Sequence, residues 1–312
     1  MRWWPGQRHE RTPFLRPGRA SDLEALVQLW REEVRIGSRD SVPQEDDLRR
    51  LLTHFDWESR SRVIDGDERG IAGAVLVSSR ANSRGTVARI DPASAGANAD
   101  EAMHEIVRWG LQLSRASGAT MVQVWVGPGH KEVLRRLGLK MARPWWRMDR
   151  SLMTDLPLST PVAGYQLQDG LTLRRGIWAD MHNRTFADHW SFTARSEAEL
   201  MTGKAPELCL MAVAADTGAP AALTLCQVES YANDRRPQPV GMVSSVGTLP
   251  EHRRRGLATW MVAEGLRRLR GAGAREASLY VDGRSRTRAF EAYRKLGFDL
   301  AFEAEVWEAT FP

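Results

Sequence analysis

Short apolar runs alternate with amphipathic stretches along the chain, most clearly in its second half. Leu208–Ala214 and Ala221–Glu229 are apolar runs of strand length joined through Asp216-Thr217-Gly218, a turn-forming cluster, so they predict an antiparallel hairpin. Arg255–Arg270 has helical spacing, and its apolar face includes Ala258, Val262, Leu266 and Leu269. Strands interleaved with helices in this way predict an α/β sandwich rather than a helical bundle.

The other elements of this half follow from the same patterns and from their capping residues. We predict further strands at Leu171–Arg174, Gly241–Thr248, Ala277–Val281 and Leu300–Trp307. We predict further helices at Trp178–Ala187, after the capping box Ser196-Glu197-Ala198-Glu199, and at Thr287–Leu296.

Three landmarks recur along the chain at a nearly constant interval. Leu15-Arg16-Pro17 matches Leu173-Arg174-Arg175, and Ile90-Asp91-Pro92 matches Thr248-Leu249-Pro250, both at an offset of 158 residues. Leu134–Leu139 matches Tyr293–Phe298 at an offset of 159. A period this long predicts a tandem duplication of a whole domain rather than the short repeats of a solenoid.

The duplication sets the expected domain organisation. We expect a first domain over residues 13–150, a linker over 151–170, where prolines and glycines are frequent and charges are few, and a second domain over 171–312. Residues 1–12, which are rich in Pro, Arg and Gly, are expected to form an N-terminal tail that is either disordered or covers a domain.

Composition narrows the class of protein. With 312 residues, of which 42% are hydrophobic and 27% charged, the chain has enough apolar surface for a large core, and its apolar runs are far shorter than the roughly 20 residues of a membrane-spanning helix. The start of the chain lacks the apolar core of a secretory signal, so we expect a cytoplasmic protein. Cys209 and Cys226 have no zinc-binding spacing and are expected to be buried thiols, and no metal is expected.

The net charge of +5 does not by itself indicate nucleic-acid binding. The 39 acidic residues are scattered among the basic ones, and no zinc finger, aromatic RNA-binding motif or basic tail is present. We therefore expect an anionic small molecule, rather than nucleic acid, as the reason for local basic clusters.

One such basic cluster directly follows a predicted strand and runs into the long predicted helix. It reads Pro250-Glu251-His252-Arg253-Arg254-Arg255-Gly256-Leu257-Ala258. The first N–H groups of a helix have no intrahelical partners, and the helix dipole adds a partial positive charge there. Gly256 allows a ligand to approach the backbone closely, and the arginines add charge-assisted contacts. This segment therefore predicts a pyrophosphate site.

The same segment resembles the signature of the GNAT superfamily of acetyl-CoA-dependent N-acetyltransferases, Arg/Gln-x-x-Gly-x-Gly/Ala. Arg253, Gly256 and Ala258 occupy its three fixed positions. The late part of the family pattern is also present, because Ala289–Phe298 has the spacing Ala-x-x-x-Tyr-x-x-x-Gly-Phe around Tyr293. The resemblance implies two tandem GNAT-like domains, each with a central mixed, mostly antiparallel sheet flanked by helices.

The resemblance also implies how acetyl-CoA is bound. Its pantetheine arm is expected along the backbone of Val246, Gly247 and Thr248, and its pyrophosphate on the loop made of Arg253, Arg254, Arg255, Gly256, Leu257, Ala258 and Thr259. Tyr293 is expected to protonate the leaving thiolate, unless it only packs on the sheet. Arg286 stands where the family often has Asn, and it either binds a phosphate or is solvated.

Candidates on the acceptor side are less specific. Glu229, near the end of a strand next to the motif strand, is a candidate proton acceptor, the alternative being ordinary solvation at a strand edge. Asp188 and His189 lie where the family places its acceptor-binding helices, although they could simply end an exposed helix. Tyr280 is a further candidate for the acceptor pocket, against simple packing in the core.

The first copy lacks these residues. Counting from Pro92, the positions that correspond to Arg253, Gly256 and Ala258 carry Ala95, Asn98 and Asp100, and Leu134 stands at the position of Tyr293. Because an aspartate repels a phosphate, this degenerate copy is expected to shape the structure or the substrate pocket and to bind acetyl-CoA weakly or not at all.

These observations predict an acetyl-CoA-dependent N-acetyltransferase that acts on the primary amine of a small molecule by direct transfer in the C-terminal domain. The layout is similar to that of mycothiol synthase, a tandem member of the family, but Met242 stands where that enzyme carries a carboxylate. The alternatives are a protein or peptide N-acetyltransferase and a non-catalytic acyl-CoA-binding protein. The sequence does not fix the oligomeric state.

Overall fold

Both halves of the chain contribute to a single twelve-stranded sheet. The computed structural model describes residues 14–42, 48–49, 52–66, 70–82, 84–173, 176–229 and 239–311. The expected tail at 1–12 lies outside these residues.

In the N-terminal half, three of the helices are short or of medium length, and α3 is the longest. The elements are β1 (Leu15–Pro17), α1 (Leu23–Ile36), α2 (Trp57–Arg60), β2 (Ser61–Asp65), β3 (Ile71–Asn82), β4 (Gly85–Ser94), α3 (Ala99–Ala116), β5 (Met121–Val126), α4 (Lys131–Arg136) and β6 (Lys140–Ser151).

The C-terminal half repeats the order of the main elements. They are β7 (Tyr165–Asp169), α5 (Ile177–Phe186), α6 (Glu197–Met201), β8 (Cys209–Ala214), β9 (Pro220–Glu229), β10 (Val240–Thr248), α7 (Leu257–Gly271), β11 (Glu276–Asp282), α8 (Ala289–Lys295) and β12 (Asp299–Thr310). The predicted hairpin and the two helices of the family pattern are confirmed in place.

The order of strands across the sheet is β1-β2-β3-β4-β5-β12-β6-β11-β10-β9-β8-β7. Among the described pairings, only β4 with β5 and β10 with β11 are parallel, so the sheet is mixed and mostly antiparallel, as expected. The two halves exchange their last strands: β12 pairs with β5 of the N-terminal half, and β6 pairs with β11 of the C-terminal half. The sequence pattern did not predict this exchange.

The exchange of strands also mixes the two hydrophobic cores. Trp307 of β12 is 1% exposed and packs in the core formed by α3 and the N-terminal strands, together with Leu134 and Val124. Met148 of β6, also 1% exposed, packs in the core around α7 with Leu266. Each core is therefore completed by a side chain from the other half.

Two expectations about the middle of the chain are wrong. Residues 171–173 form a turn rather than the beginning of a strand, and Arg174 lies outside the described residues. The edge strand is β7, which lies inside the segment expected as linker and pairs with β8. Tyr165 and Leu167 pack on the core next to α7, and the Asp169 carboxylate accepts the Leu171 N–H (3.1 Å) in the turn that follows β7.

The landmark matches need a related correction. β1 and β7 are the two edge strands of the sheet, so the counterpart of Leu15–Pro17 is Tyr165–Asp169 and not residues 173–175. Pro92 lies inside β4, opposite Val75, whereas Pro250 follows the end of β10. The helix starts do agree, because Asn98 caps α3 and Gly256 caps α7.

Three further observations concern what else the chain contains. No helix in the described parts of the chain is both long and apolar enough to cross a membrane. Cys209 and Cys226 are buried free thiols, as expected, and burial raises the pKa of Cys209 to about 11. Over the same residues, no group of three or more His, Cys, Asp or Glu side chains could hold a metal ion.

Candidate active site

The candidate site begins where β10 separates from β11. The two strands pair only from Val240 to Val243, and an extra residue, Ser244, forms a bulge opposite β9, with its hydroxyl donating to the Leu225 carbonyl (3.0 Å). A bulge bends a strand and increases its twist. A cavity of about 1130 Å³ opens at this separation and is lined by Ser244–Thr248 and by Tyr280–Asp282.

Two residues of β10 direct their backbone groups into this gap. Leu249 donates its N–H to Ala221, on the β9 side. Because backbone groups of alternate residues point to opposite edges of a strand, those of Val246 and Thr248 point away from β9, toward the gap. Val246, Gly247 and Thr248, which are predicted to bind the pantetheine arm, all line the cavity.

The loop that joins β10 to α7 has the geometry of an anion cradle. Gly256 has φ +87°, a conformation that favours glycine, and Arg254 has φ +62°, which is uncommon for a residue with a side chain. Backbone strain of this kind is stored where the surrounding structure enforces it, commonly at ligand sites. Gly256, Leu257, Ala258 and Thr259 line the cavity at the start of a helix of 15 residues.

Arg253 is held by contacts on both sides of the loop. Its Nε donates to the Thr248 carbonyl (3.1 Å), and one guanidinium nitrogen lies 3.2 Å from an Asp188 carboxylate oxygen. The hydrogen bond from Arg253 lowers the pKa of Asp188. Both residues line the cavity, and Asp188, predicted as an acceptor-binding residue, is engaged with Arg253 in this structure.

The side chains of the three arginines in this loop point in different directions. Arg254 lines the cavity and has no ion pair with a described residue. The side chain of Arg255 is not part of the cavity lining, contrary to its predicted role, because its guanidinium donates to the Tyr165 hydroxyl (3.2 Å) and to the Glu251 carbonyl (3.3 Å). Tyr165 also bonds His252 (2.8 Å), so these contacts brace the outer side of the loop.

Tyr293 reaches the same cavity from α8. It is 9% exposed, and its ring packs edge to face with Phe298 at 6.1 Å. Burial raises the pKa of its phenol, so the hydroxyl stays protonated throughout the physiological range. Arg286, from the loop before α8, lines the cavity as well, and no described carboxylate pairs with it.

The residues predicted for the acceptor side do not all lie at the cavity. His189 and Tyr280 line the cavity, and the Tyr280 hydroxyl donates to Asp40 of the N-terminal half. Glu229 does not line it: it pairs with Val240, where β10 is still fully hydrogen-bonded to β11 and before the strands separate. The structure therefore does not bring Glu229 to the site, and we do not retain it as the proton acceptor.

Sequence reasoning missed two sets of lining residues. The first is His182, which is 7% exposed on α5, next to Phe186, and whose pKa is lowered by burial. The second comes from the N-terminal half and comprises Arg80, Arg89, Gln123, Trp125 and Trp145. No local motif identifies these five residues, because they reach the site only through the docking of the two halves.

The loop after α5 connects the halves at this point. Its Ser191 has φ +53°, and the Ser191 hydroxyl accepts hydrogen bonds from Asn82 (2.9 Å) and Gln123 (3.3 Å) of the N-terminal half. Trp190, Ser191, Phe192, Thr193 and Arg195 of the loop all line the cavity. The cavity is thus lined jointly by both halves.

In the N-terminal half, the gap beside β4 that corresponds to this cavity is filled by side chains of the same half. Beyond Ile90, where pairing with β5 ends, the Pro92 carbonyl accepts from Arg39 (3.0 Å) and Ser94 donates its N–H to Glu33 (2.9 Å). Glu33 and Arg39 also form an ion pair (2.7 Å), and Glu33 is 2% exposed. The backbone groups that face the gap in β4 therefore already have partners.

The site combines a strand that leaves its parallel neighbour with a glycine-capped, arginine-rich helix start, as the resemblance to the GNAT N-acetyltransferases implies. Residues 176–298 match the model of the acetyltransferase (GNAT) family, which places a GNAT domain in this part of the chain.

Similar proteins agree with this assignment. The mycothiol acetyltransferase of Nocardia farcinica is 32% identical over 209 residues, which are 61% of this chain and 66% of that protein. The mycothiol acetyltransferase of Thermobispora bispora is 29% identical over 197 residues, which are 58% of this chain and 63% of that protein. The matched region thus spans somewhat less than two thirds of these relatives.

Solved structures share the fold over nearly the whole chain. A GCN5-related N-acetyltransferase from Sphaerobacter thermophilus aligns with a TM-score of 0.78 and 19% identity, covering 95% of both chains. A tandem GNAT protein from the clavulanic acid biosynthesis pathway aligns with a TM-score of 0.66 and 17% identity, covering 96% of this chain and 99% of that one. The expected tandem GNAT architecture is confirmed.

Proposed function

We propose that the protein is an acetyl-CoA-dependent N-acetyltransferase that acts on the primary amine of a small molecule. The observation that carries this proposal is the continuity of one cavity from the anion cradle at Gly256, along the open edge of β10, to Tyr293. When bound, acetyl-CoA supplies the thioester that the reaction consumes.

The residues present fit this cosubstrate. The Gly256 cradle and Arg254 offer N–H donors and positive charge to a pyrophosphate. The edge of β10 at Val246 and Thr248 offers backbone groups to an amide-containing arm, and Arg286 is an additional cation at the same cavity. Arg253 contributes indirectly as well, because it fixes the loop against α5 through Asp188.

Tyr293 serves as the proton donor in this proposal. Its Oη, which burial keeps protonated, transfers a proton to the sulfur of the departing thiolate. Because burial keeps the phenol protonated, Tyr293 has a proton available at the moment when the thiolate departs.

An incoming amine has to lose a proton before or during attack. Among the lining residues, His182 is suited to accept it, because the lowered pKa of His182 leaves the ring neutral near pH 7. His189 lies on the same cavity, beside Phe186. We propose His182 in place of Glu229 as the proton acceptor.

The contribution of both halves to the lining of the cavity favours a small molecule over a peptide. Side chains from both halves line it, including Trp125, Trp145 and Trp190, so an extended chain has less room than in an open groove. The relatives named mycothiol acetyltransferase also support a small-molecule acceptor. Met242 is buried outside the cavity lining, so its replacement of a carboxylate does not exclude such an acceptor.

The cofactor proposal is tested by thermal unfolding with and without acetyl-CoA. Binding to the folded state alone raises stability by about 2.7 kcal/mol at a hundredfold excess over Kd. Arg253→Glu is expected to abolish the shift, because it places a negative charge in the cradle beside Asp188. Arg255→Glu is the matched control: it makes the same change of charge on the same loop, on a side chain that faces Tyr165, and is expected to weaken binding much less.

The catalytic proposal is tested with Tyr293→Phe. Thiol release from acetyl-CoA in the presence of an amine panel should fall by about 10²–10⁴-fold, whereas the thermal shift with acetyl-CoA should be retained. A rate equal to that of the wild type would exclude Tyr293 as the acid. Stabilisation by acetyl-CoA without turnover of any amine would favour the non-catalytic acyl-CoA-binding alternative.

A further inference from the structure

An excess of arginine over carboxylate lines the cavity. Asp188, Asp282 and Glu291 are the carboxylates of the described lining, and each is engaged by an arginine, in the pairs Arg253–Asp188, Arg143–Asp282 and Arg288–Glu291. Five lining arginines have no carboxylate partner among the described residues: Arg80, Arg89, Arg195, Arg254 and Arg286.

Arg254 and Arg286 belong to the cofactor side of the cavity, and the other three lie elsewhere. Arg80 is on β3 and Arg89 on β4, and four strands of the sheet, β5, β12, β6 and β11, separate β4 from β10. Arg195 comes from the loop that docks on the N-terminal half through Ser191. These three cations, which we call the arginine triad, therefore lie across the cavity from the cradle at Gly256.

The register of the sheet places two members of the triad side by side. Arg80 is opposite Val87 and Arg89 is opposite Ser78, so the two arginines are diagonal neighbours on one face, about 7–8 Å apart. Gln123 is next to Arg89 across the parallel pair, and Trp125 follows two residues later on the same face. The Arg89 guanidinium lies over the Trp125 ring at 4.7 Å from its centroid.

The triad carries like charges that repel one another. Burial, followed by the positive charges of Arg89 and Arg195, lowers the pKa of Arg80. Two cavity-lining residues, Trp125 on β5 and Thr193 in the loop after α5, also carry a buried polar atom without a hydrogen bond in the described structure, Trp125 Nε1 and Thr193 Oγ1. Like charges gathered at one cavity, with no carboxylate partner among the described residues, are a feature of a site that an anion completes.

From this arrangement we infer that the acceptor amine belongs to a molecule with a carboxylate or phosphate group, which the arginine triad binds while the amine faces the acetyl donor. This inference rests on the proposed function. The N-terminal half thus supplies substrate specificity although it lacks a cofactor cradle. Trp125, Trp145 and Trp190 offer flat apolar surfaces for the body of such a molecule.

The test compares amines that differ only in an anionic group. Glucosamine 6-phosphate against glucosamine tests the phosphate, and L-amino acids against their amides test the carboxylate. In wild type, the anionic amine of at least one of these two comparisons should have a kcat/KM at least about tenfold higher than that of its neutral counterpart. In Arg80→Ser/Arg89→Ser, this preference should disappear, because the KM of the anionic amine rises to that of the neutral amine.

Arg115→Ser is the matched control, because Arg115 is exposed in the last turn of α3, outside the cavity lining, and carries the same charge. The ratio of kcat/KM between the anionic and the neutral amine should be the same in Arg115→Ser as in wild type. Two results would overturn the inference. One is a kcat/KM for the anionic amine that does not exceed that for the neutral amine in either comparison. The other is a preference for the anionic amine that survives in the double variant.

A second measurement does not depend on turnover. Inorganic phosphate is titrated at constant ionic strength into protein saturated with CoA, so that the cradle is already occupied. Wild type and Arg115→Ser should gain thermal stability and the double variant should not. Equal responses of all three proteins would contradict an anion site at the triad. Failure of the proposed function would appear separately, as the absence of any stabilisation by acetyl-CoA itself.

Discussion

Gly247 determines how closely α5 approaches the open edge of β10. A Cβ atom at this position would lie 2.2 Å from Thr185 Cγ2 and 3.2 Å from the Phe186 ring, both on α5. Such distances require α5 to move. Since α5 also carries His182 and leads into the loop with Asp188, the glycine couples β10 to the part of the cavity that these two residues line.

Gly247→Ala should therefore disturb stability and cofactor binding together. Overpacking of this kind costs about 1–3 kcal/mol, and the displaced α5 should raise the KM for acetyl-CoA. Urea unfolding and steady-state kinetics measure the two effects. Gly271→Ala at the end of α7 is the control, because nothing lies within 4 Å of the added Cβ there. If Gly247→Ala and Gly271→Ala behave alike, the close approach of Thr185 to residue 247 affects neither stability nor binding.

Two buried histidines make stability depend on pH. His130 and His182 are 8% and 7% exposed, and burial lowers the pKa of both below the ordinary value of 6.5. At His182 the charges of Arg195 and Lys204 act in the same direction, whereas Asp100 opposes the shift at His130. Below pH 6.5 the unfolded chain binds more protons than the folded one, so stability is complete above that pH and falls below it.

This pH dependence is measured by urea unfolding between pH 7.5 and 5.5. The free energy of unfolding should decrease toward pH 5.5 in wild type, and the decrease should be smaller in His130→Gln/His182→Gln. Ionised carboxylates with lowered pKa values, such as Asp188, titrate below this range and do not contribute. An undiminished decrease in the double variant would assign the effect to other groups.

At the residue scale, the sequence predicted which residues line the cavity better on the side of Gly256 and Tyr293 than on the side of His182. Arg253, Gly256 and Tyr293 belong to motifs whose spacing is set by one loop and one helix, so their positions could be predicted. The direction of Arg255 toward Tyr165 could not, because it depends on packing between distant segments. His182 and Glu229 were misjudged for the same reason: strand register and helix docking decide which side chains reach the cavity.

At the scale of elements, β4 and β10 differ in the loop that follows them and in the gap beside them. The loop after β10 spans residues 249–256, whereas the loop after β4 spans only 95–98 and leaves less backbone for a cradle. In the gap beside β4, Glu33 and Arg39 satisfy the backbone groups that a pantetheine arm would otherwise bind. The sequence predicted the missing motif residues but not these filling side chains, which come from α1 and the loop after it.

A single acetyl-CoA per chain is therefore expected. Calorimetric titration of wild type should give a stoichiometry of one, and Arg253→Glu should abolish all binding. If one equivalent still bound to Arg253→Glu, the N-terminal half would be the site. Two equivalents in wild type would show that Glu33 and Arg39 can be displaced from β4.

At the scale of the whole molecule, the exchange of strands makes the two halves interdependent. The predicted boundary near residue 150 separates the two repeats along the chain but not in space, because β6 lies between β12 and β11. A duplicated pattern predicts two similar domains, and it cannot distinguish two separate sheets from one sheet with exchanged strands. Both arrangements use the same local hydrophobic pattern, and only the long-range pairing differs.

The exchange predicts that the chain survives a cut between its halves. Leu158 is 88% exposed in the segment between β6 and β7, so a protease site inserted there is accessible. After cleavage the two fragments should still elute together at the size of the intact chain, because separating them would remove β6 from the sheet and expose Met148 and Trp307. Their unfolding should remain a single transition, and Trp307→Ala, a change that costs about 3–5 kcal/mol in a core, should lower the stability of the whole chain rather than of one half. Fragments that separate without denaturant, or two resolved transitions, would contradict a shared sheet and indicate that each half folds with its own last strand.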